Sequence, residues 1–442
     1  MRRQAGAQAS APERPDRRAL RTVSTGLYRV FGFGASMLLL AVASLMLVPA
    51  LIEAGGSRTW GSIAVGQSLG SVAAVVVSLG WAVSGPAAIA RADAATRRRE
   101  FTEAVVAQLV ASLPTLAAAT TLAAVLGAPA RGLAALAAAS MALIGFTSNW
   151  YYVGTADPWR LFATETVPRV LGSLLGVVVL RRGADVAVGL VCQMLGIAVG
   201  VAVSWFVVHW STRSAAGALD RRSLRSVLAN QRHGVTTAVV SSAYGAAPVL
   251  IVSVVNPAAL PVYALVDKLQ RQVYVGATPL VAVFQGWVAS AAPSAIRRRI
   301  TAAHLAVLAL VITAGTALVG LGDLLFGWLG ANQVVVPATT IALTALWFAL
   351  NLQESVASRV ALVPLGRLDF VARATAIGTA AGLSAVAVLA SVWGANGALI
   401  GICIGLGTRL TMCLFGARRS ATPATEHRKW PLDDPPNEGV AI

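Results

Sequence analysis

Charged side chains interrupt one apolar stretch of the sequence, Leu260 to Ser290, which is long enough to cross a bilayer. Asp267, Lys268 and Arg271 lie in its first half. Side chains four residues apart share a face of an α-helix, so Asp267 and Arg271 would point the same way and could pair. A charge at mid-helix costs about 2.5–3.5 kcal/mol on insertion scales, and such residues usually face a bundle interior or a watery cavity. We therefore predict a helix whose polar face is turned towards a cavity.

The chemistry of this polar face favours an anion. Lys268 and Arg271 suit a phosphate or pyrophosphate, because a guanidinium can bind two oxygens at once. The residues expected on this face are Tyr263, Asp267, Gln270 or Arg271, and Tyr274, with Leu265, Val266, Leu269, Val273 and Leu280 opposite. Two alternatives stay open. Asp267 and Arg271 could form a purely structural pair, or the helix could begin only at Val273 and leave the charges in a loop.

Neutral polar residues beside aromatic ones would suit sugars, which offer hydroxyl groups and flat apolar faces. Gln67 and Asn149, near Trp60 and Trp150, have this composition. For the two tryptophans the alternative is anchoring at the membrane interface. Glu165 and Arg169 also lie at membrane depth, and the sequence assigns them no role.

The composition excludes an ordinary soluble domain, since 57% of the residues are hydrophobic and only 12% are charged. Twelve apolar runs follow one another, each long enough for a tilted membrane helix. Their approximate bounds are 26–52, 60–88, 103–127, 132–153, 161–181, 185–210, 234–255, 261–290, 300–321, 332–353, 370–392 and 394–416. An all-α integral membrane protein of about twelve transmembrane helices is therefore expected.

The net charge of +17 does not indicate a nucleic-acid partner, because the arginines cluster in short gaps between apolar runs. Such clusters are typical of loops on the cytoplasmic face of a plasma membrane. Placing the N-terminus inside leaves only four of the 35 basic residues in outer loops, namely Arg58, Arg131, Arg181 and Arg182. Both termini are therefore expected in the cytoplasm.

A basic gap near the middle divides the chain into two halves of six spans. The predicted segments are a basic cytoplasmic tail (1–21), a first six-helix lobe (22–210), a basic linker (211–233), a second six-helix lobe (234–416) and a cytoplasmic C-terminal tail (417–442). Weak similarity between corresponding spans predicts a parallel repeat with its axis along the membrane normal. The substrate site would then lie between the halves, near the midplane.

No catalytic set is recognisable in the sequence. The motifs HExxH and Walker A are absent, and the outer loops are short and lack paired acidic residues. The three cysteines and four histidines have no metal-ligand spacing, so neither a metal nor a cofactor is predicted. The glycine-rich piece GICIGLGT (401–408) favours close helix contact over nucleotide binding. A membrane-embedded glycan polymerase or glycosyltransferase is the less favoured alternative.

Three stretches resemble the Wzx-type polysaccharide flippases, the lipid-linked oligosaccharide translocases of the multidrug/oligosaccharidyl-lipid/polysaccharide exporter superfamily. They are GGSRTWGSIAVGQSLGS (55–71), NWYYVGTADPWRLFATETVPRVLGSLLG (149–176) and VYALVDKLQRQVYVGATPLVAVFQGWV (262–288). The third departs from the family pattern after Pro279, where FQGW replaces a small-residue and proline-containing ending.

This resemblance implies a V-shaped bundle of two lobes around a cationic central cavity, which opens alternately to the two sides of the membrane. It implies a flippase, not an enzyme, that moves a polyprenyl-diphosphate-linked oligosaccharide from the inner to the outer leaflet for cell-surface polysaccharide biosynthesis. Its partners would be membrane lipid and the glycosyltransferases and polymerase of the same pathway.

The resemblance also assigns roles by position. Lys268 and Arg271 would meet phosphate, and Arg29 at the inner mouth would help to capture it. The remaining substrate-binding candidates are Gln67, Asn149 and Gln270. The candidates for coupling to a proton or sodium gradient are Asp267 first, then Glu53 and Glu354.

Two other transport functions remain open within the same superfamily. A cation-coupled exporter of small drugs is disfavoured, because a cationic substrate would prefer a cavity dominated by carboxylates. A flippase for the peptidoglycan lipid precursor would fit the same chemistry.

Overall fold

The computed structural model describes residues 17–215 and 224–419, and these are helical apart from short connections. The side chain of Arg29 lies outside the description. The helices are α1 (Arg17–Ser78), α2 (Trp81–Arg91), α3 (Ala94–Leu126), α4 (Arg131–Ala142), α5 (Asn149–Thr155), α6 (Pro158–Leu161), α7 (Val167–Arg181), α8 (Val186–Thr212), α9 (Leu224–Val255), α10 (Leu260–Ala289), α11 (Pro293–Leu329), α12 (Ala338–Ser355) and α13 (Leu368–Arg419).

Two of these helices are bent and cross the bundle twice. Gly56 in α1 has φ 79° and Gly394 in α13 has φ 57°, a left-handed conformation that glycine adopts without the clash of a Cβ atom. Within the described ranges, eight helical stretches are long and apolar enough to span a membrane, and the two longest contain these bends. Counting each bent stretch as two crossings, and adding α10 and α12, gives the twelve predicted crossings. The expected all-helical membrane architecture is confirmed.

The crossings define two ends of the bundle. The kinked end carries Gly56, Gly394 and the connections at 127–130, 182–185, 256–259 and 330–337. The terminal end carries the connections at 79–93, 290–292 and 363–367, together with the outermost described residues. Local signals fix where helices start at both ends. Asp93 caps α3 by accepting a hydrogen bond from the Thr96 amide at 2.9 Å, and Asp185 caps α8 in the same way. Hydrogen bonds from Thr96 hold the pKa of Asp93 below its usual value.

Hydrophobic packing joins the two halves at the kinked end. Ile52, Trp60 and Leu190 of the first half share one buried cluster with Leu260 and Leu329 of the second. At the terminal end the buried clusters are separate. One contains Trp81, Phe101 and Trp150, and others contain Val288, Ala303, Leu362 and Cys413. The halves therefore meet at the kinked end and enclose a space that widens towards the terminal end.

Helix α9 contacts both halves. Near its start, Gln231 accepts a hydrogen bond from Ser84, and near its end Asn256 donates to the Ala390 carbonyl at 3.1 Å. The helix begins at Leu224, inside the predicted linker 211–233, and α1 begins at Arg17, inside the predicted tail 1–21. The rest of both tails and of the linker, at 1–16, 216–223 and 420–442, lies outside the described residues. The lobe boundaries stay predictions.

Small residues allow helices to approach closely, as predicted for GICIGLGT. A Cβ atom added to Gly405 would lie 2.8 Å from the Cα of Gly382, and one added to Gly401 would lie 2.4 Å from the Val386 nitrogen. The two limbs of α13 therefore touch through their backbones, the arrangement by which membrane helices gain van der Waals contact.

Candidate functional site

Helix α10 is continuous from Leu260 to Ala289, so its charged residues lie within a membrane-spanning helix. The alternative of a helix that begins only at Val273 is wrong. Pro261 in the first turn starts the helix without losing a backbone hydrogen bond. Tyr263, Asp267 and Gln270 are buried along it.

One side of α10 forms a wall of a cavity of about 270 Å³ between the two halves. The opposite walls come from both limbs of α1, from α4 with the turn that follows it, and from α7 and α8. The polar residues that line it are Ser44, Trp60, Gln67, Ser68, Ser71, Arg169, Ser173, Gln193, Asp267, Lys268, Arg271 and Gln272. Met37 and Val275, at its terminal side, are 39% and 38% exposed, whereas Trp60 is fully buried. The cavity is therefore closed at the kinked end and opens towards the terminal end.

Arg271 is held at two points. Its Nε donates to the Asp267 carboxylate at 2.6 Å, and its Nη2 donates to the Gly245 carbonyl on α9. The predicted pair across one helical turn therefore forms, and both members also line the cavity. The side chain of Arg271 is still 37% exposed, which leaves part of the guanidinium accessible from the cavity.

Lys268 links the two halves. Its Nζ donates a hydrogen bond to the Gln67 side-chain oxygen at 3.0 Å, across the interface between α10 and the second limb of α1. Among the described residues, no carboxylate lies within 4 Å of this ammonium group. Gln67 of the first half and Lys268 of the second half are therefore in direct contact on the cavity wall.

Arg169 of α7 is a third cationic group on the cavity wall, and the sequence interpretation gave it no role. It lies just after a π-helical turn, Phe162–Thr166, in which the backbone is wider than in an α-helix. Glu165 in this turn is 2% exposed and accepts a hydrogen bond from the Ser148 amide. Within the described ranges Arg169 has no carboxylate within 4 Å. The sequence did contain a signal for Arg169, because Glu165 and Arg169 lie four residues apart inside an apolar run.

Four of the other predicted site residues lie away from this cavity. Glu53 is exposed near the kink of α1. Glu354 is buried and forms an ion pair with Arg409 of α13 at 2.8 Å. This ion pair holds the Arg409 guanidinium inside the bundle. Asn149 lies beside Trp150 in the cluster at the terminal end. The fourth residue is Gln270.

Gln270 does not face the cavity. It precedes Arg271 by one residue, which turns its side chain by about 100° around α10 towards Leu269 and Val273. It lines an apolar groove of about 600 Å³ with Leu269 and Val273, against α11 and α12. Its side-chain nitrogen is buried and has no hydrogen-bond partner in the part of the chain that the structure describes. The prediction that Gln270 could share the polar face with Asp267 is wrong.

The two tryptophans considered as interfacial anchors are both buried. Trp150 is 6% exposed, and its ring lies 6.1 Å from that of Phe101 in the terminal-end cluster. Trp60 is fully buried and lines the cavity. Anchoring at a lipid interface needs an exposed ring, so this interpretation is wrong for both residues.

Several solved structures resemble the chain. An inward-facing structure of a multidrug resistance MATE family transporter of the MOP superfamily aligns with a TM-score of 0.66 and 15% identity, over 86% of this chain and 94% of that one. The lipid II flippase MurJ in an inward closed conformation aligns with a TM-score of 0.60 and 10% identity, over 88% of each chain. A MOP superfamily transporter from Pyrococcus furiosus, described as having a binding pocket of reverse polarity, aligns with a TM-score of 0.53 and 14% identity, over 89% of this chain and 95% of that one.

The chain has the fold of these transporters. No family model matches the sequence, and no curated protein matches it. Identities of 10–15% establish the fold alone, so the Wzx-type resemblance and the substrate stay predictions.

Proposed function

We propose that the protein is a flippase that moves a polyprenyl-diphosphate-linked oligosaccharide from the inner to the outer leaflet by alternating access. The observation that carries this proposal is the charge of the cavity. Its described walls hold the three cationic side chains of Arg169, Lys268 and Arg271 against the single carboxylate of Asp267. A net positive cavity at membrane depth needs an anionic ligand to offset the cost of burying its charges.

The placement of the cations suits a diphosphate. Arg169 belongs to the first half, and Lys268 and Arg271 belong to the second. A diphosphate has oxygens on two phosphorus atoms, so it can accept hydrogen bonds from both halves at once. Bidentate guanidinium contacts are among the strongest protein–phosphate interactions. Binding would thus favour the state in which the halves are close around the headgroup.

The same charges disfavour an exporter of cationic drugs. A cation in this cavity would meet three positive groups, and Asp267 is already bonded to Arg271 at 2.6 Å. The likeness to MATE transporters therefore supports the shared fold but not a shared substrate class.

The likeness to the lipid II flippase favours a second candidate function, translocation of a peptidoglycan lipid precursor. That molecule is also a lipid-linked diphosphate, so the cationic cavity would bind it through the same groups. The two candidates share the lipid-linked diphosphate and differ in the headgroup that follows it.

Asp267 is the proposed coupling residue, because protonation or sodium binding there would compete with its bond to Arg271. Glu53 and Glu354 do not line the cavity, so the proposal does not depend on them. Both termini lie in the cytoplasm, and glycosyltransferases and a polymerase of the pathway act on either side of the step.

The test is transport in proteoliposomes that contain the lipid-linked oligosaccharide of the native host. A hydrolase added outside cleaves only headgroups in the outer leaflet. The intact protein should raise the cleaved fraction towards completeness, while empty liposomes should stay at the outer-leaflet fraction. Lipid II is the comparison substrate.

Deletion of the gene provides the cellular counterpart. The mutant should accumulate lipid-linked oligosaccharide on the inner leaflet and lose surface polymer. Normal surface glycan, or accumulation of single units already outside, would contradict a flippase.

A further inference from the structure

The lining of the cavity contains two polar groups without hydrogen-bond partners among the described residues. The Trp60 indole nitrogen and the Gln193 side-chain oxygen are both buried, and neither has a hydrogen-bond partner among the residues that the structure describes. Both side chains line the cavity, and they are 0% and 6% exposed. A buried polar group without a partner costs about 1–3 kcal/mol, so two of them lining one cavity, from α1 and α8, favour a ligand that bonds to both.

Trp60 lies apart from the cationic side chains along the cavity. Trp60 precedes Gln67 by seven residues on the second limb of α1, which is about 10 Å at the helical rise. Gln67 marks the level of the charges, because it accepts the hydrogen bond from Lys268. The cavity ends close to Trp60, because Leu260 of α10 packs against the neighbouring Gly61. A Cβ atom added to Gly61 would lie 3.2 Å from the Leu260 side chain.

The chemistry of the closed end differs from that of the mouth. An indole N–H only donates and an amide oxygen only accepts, and neither carries charge. A phosphate could satisfy the indole but not the amide oxygen. A hydroxyl group both donates and accepts, so adjacent hydroxyls on one ring can satisfy both groups. Ser173 also lines the cavity and adds a third neutral polar group, a hydroxyl that donates to the Arg169 carbonyl and can still accept a hydrogen bond.

We infer that Trp60 and Gln193 form a sugar subsite, which recognises the sugar bonded directly to the diphosphate of the transported lipid. This inference rests on the proposed function and adds where specificity resides. The cationic groups bind any polyprenyl diphosphate, whereas Trp60 and Gln193 select among its glycosylated forms.

The test is binding of four probes to the purified full-length protein in nanodiscs. They are undecaprenyl diphosphate alone and the same lipid carrying one glucose, galactose or N-acetylglucosamine. The unmodified protein should bind at least one glycosylated lipid more tightly than the bare lipid. Trp60→Phe and Gln193→Met should each reduce that preference about threefold to tenfold, the effect of one lost hydrogen bond, and leave binding of the bare lipid unchanged.

Two other residues of the first half provide matched controls. Trp81 is 2% exposed and Gln108 is 2% exposed, and neither lines the cavity in the described part of the chain. Trp81→Phe and Gln108→Met should leave the preference intact. Retained binding of the bare lipid shows that each variant is folded. If Trp60→Phe does not fold, Gln193→Met decides the outcome alone.

The possible failures are distinguishable. Binding of none of the four lipids by the unmodified protein would overturn the proposed function, and the sugar subsite with it. Binding of all four with equal affinity would overturn the subsite and leave the flippase proposal standing. The same holds if the unmodified protein prefers a sugar and both cavity variants keep that preference.

Discussion

Arg271 combines a structural and a ligand-facing position. It bonds to Asp267 and to the Gly245 carbonyl, yet more than a third of its side chain is exposed beside the cavity. A guanidinium with five donors can keep these two contacts and still present N–H groups to a phosphate. Lysine has the charge but not this fork, which makes the substitution informative.

Arg271→Ala should therefore reduce transport about tenfold to a hundredfold, because a hydrogen bond to a charged group contributes about 1.5–3 kcal/mol. Arg271→Lys should recover only part of the loss. The measurement is the transport rate in proteoliposomes per folded molecule. Arg297→Ala, at an exposed residue of the terminal end, is the control for total charge. Wild-type transport by Arg271→Ala would leave Arg271 as a purely structural residue.

Glu354 should behave as a structural residue rather than as a coupling residue. Its side chain is 5% exposed and its carboxylate is bonded to Arg409, so removing it leaves the largely buried guanidinium without its partner. Glu354→Leu should cost about 3–5 kcal/mol of stability, and the double change Glu354→Leu with Arg409→Met should restore most of it.

Thermal unfolding of the three forms measures this effect, and ion-dependent transport is the second readout. A single variant of normal stability that transports without its ion gradient would reverse the assignment and return Glu354 to the coupling candidates.

At the residue scale, the sequence predicted the site correctly where charged residues in a membrane helix carried an energetic cost. Charges inside an apolar run required a cavity, and Asp267 and Lys268 do line one. It failed where only rotation about the helix mattered. Gln270 and Arg271 are neighbours in sequence, but one faces the groove and the other the cavity. The cavity position of Arg169 was also missed, because it depends on how α7 packs against helices distant in sequence.

Close approach of backbones is the main constraint at the scale of elements. Gly66 on the second limb of α1 faces α4, and a Cβ there would lie 2.0 Å from the Ala134 carbonyl oxygen. Such a contact forces the helices apart, because backbone atoms cannot rotate away as a side chain can. Periodicity predicted these helices well, since each run is long and apolar. It could not predict which glycine meets which backbone.

Gly66→Ala should therefore destabilise the protein by about 1–3 kcal/mol. Gly407→Ala is the matched control, because nothing lies within 4 Å of its added Cβ and its backbone is helical. The measurement is the thermal unfolding midpoint of the two variants in the same detergent. Equal midpoints would show that α1 and α4 can separate without cost.

The arrangement of the whole molecule follows from how the two halves share their cores. They are fused at the kinked end through Trp60, Leu260 and Leu329 and have separate clusters at the terminal end. The number of crossings could be predicted from the apolar runs alone. The degree of opening could not, because it depends on contacts between residues distant in sequence.

Accessibility of single cysteines tests which end faces the cytoplasm. Cys192, Cys403 and Cys413 are buried, so an introduced thiol should dominate labelling. In intact cells an impermeant reagent should label Arg182→Cys, at the kinked end, and should not label Ala94→Cys, at the terminal end. Membrane permeabilisation should expose both. Labelling of Ala94→Cys in intact cells would invert the proposed topology.

The hydrogen bond between Lys268 and Gln67 has a consequence for the speed of the cycle. The ammonium group of Lys268 already has an internal acceptor, the Gln67 side-chain oxygen. On the proposed function, an arriving phosphate would have to displace that acceptor, and the same acceptor could bond to the lysine again when the phosphate leaves. Self-competition of this kind weakens equilibrium affinity but hastens release. A transporter must release its substrate in every turnover, and an internal acceptor for Lys268 keeps substrate binding from becoming too tight for release.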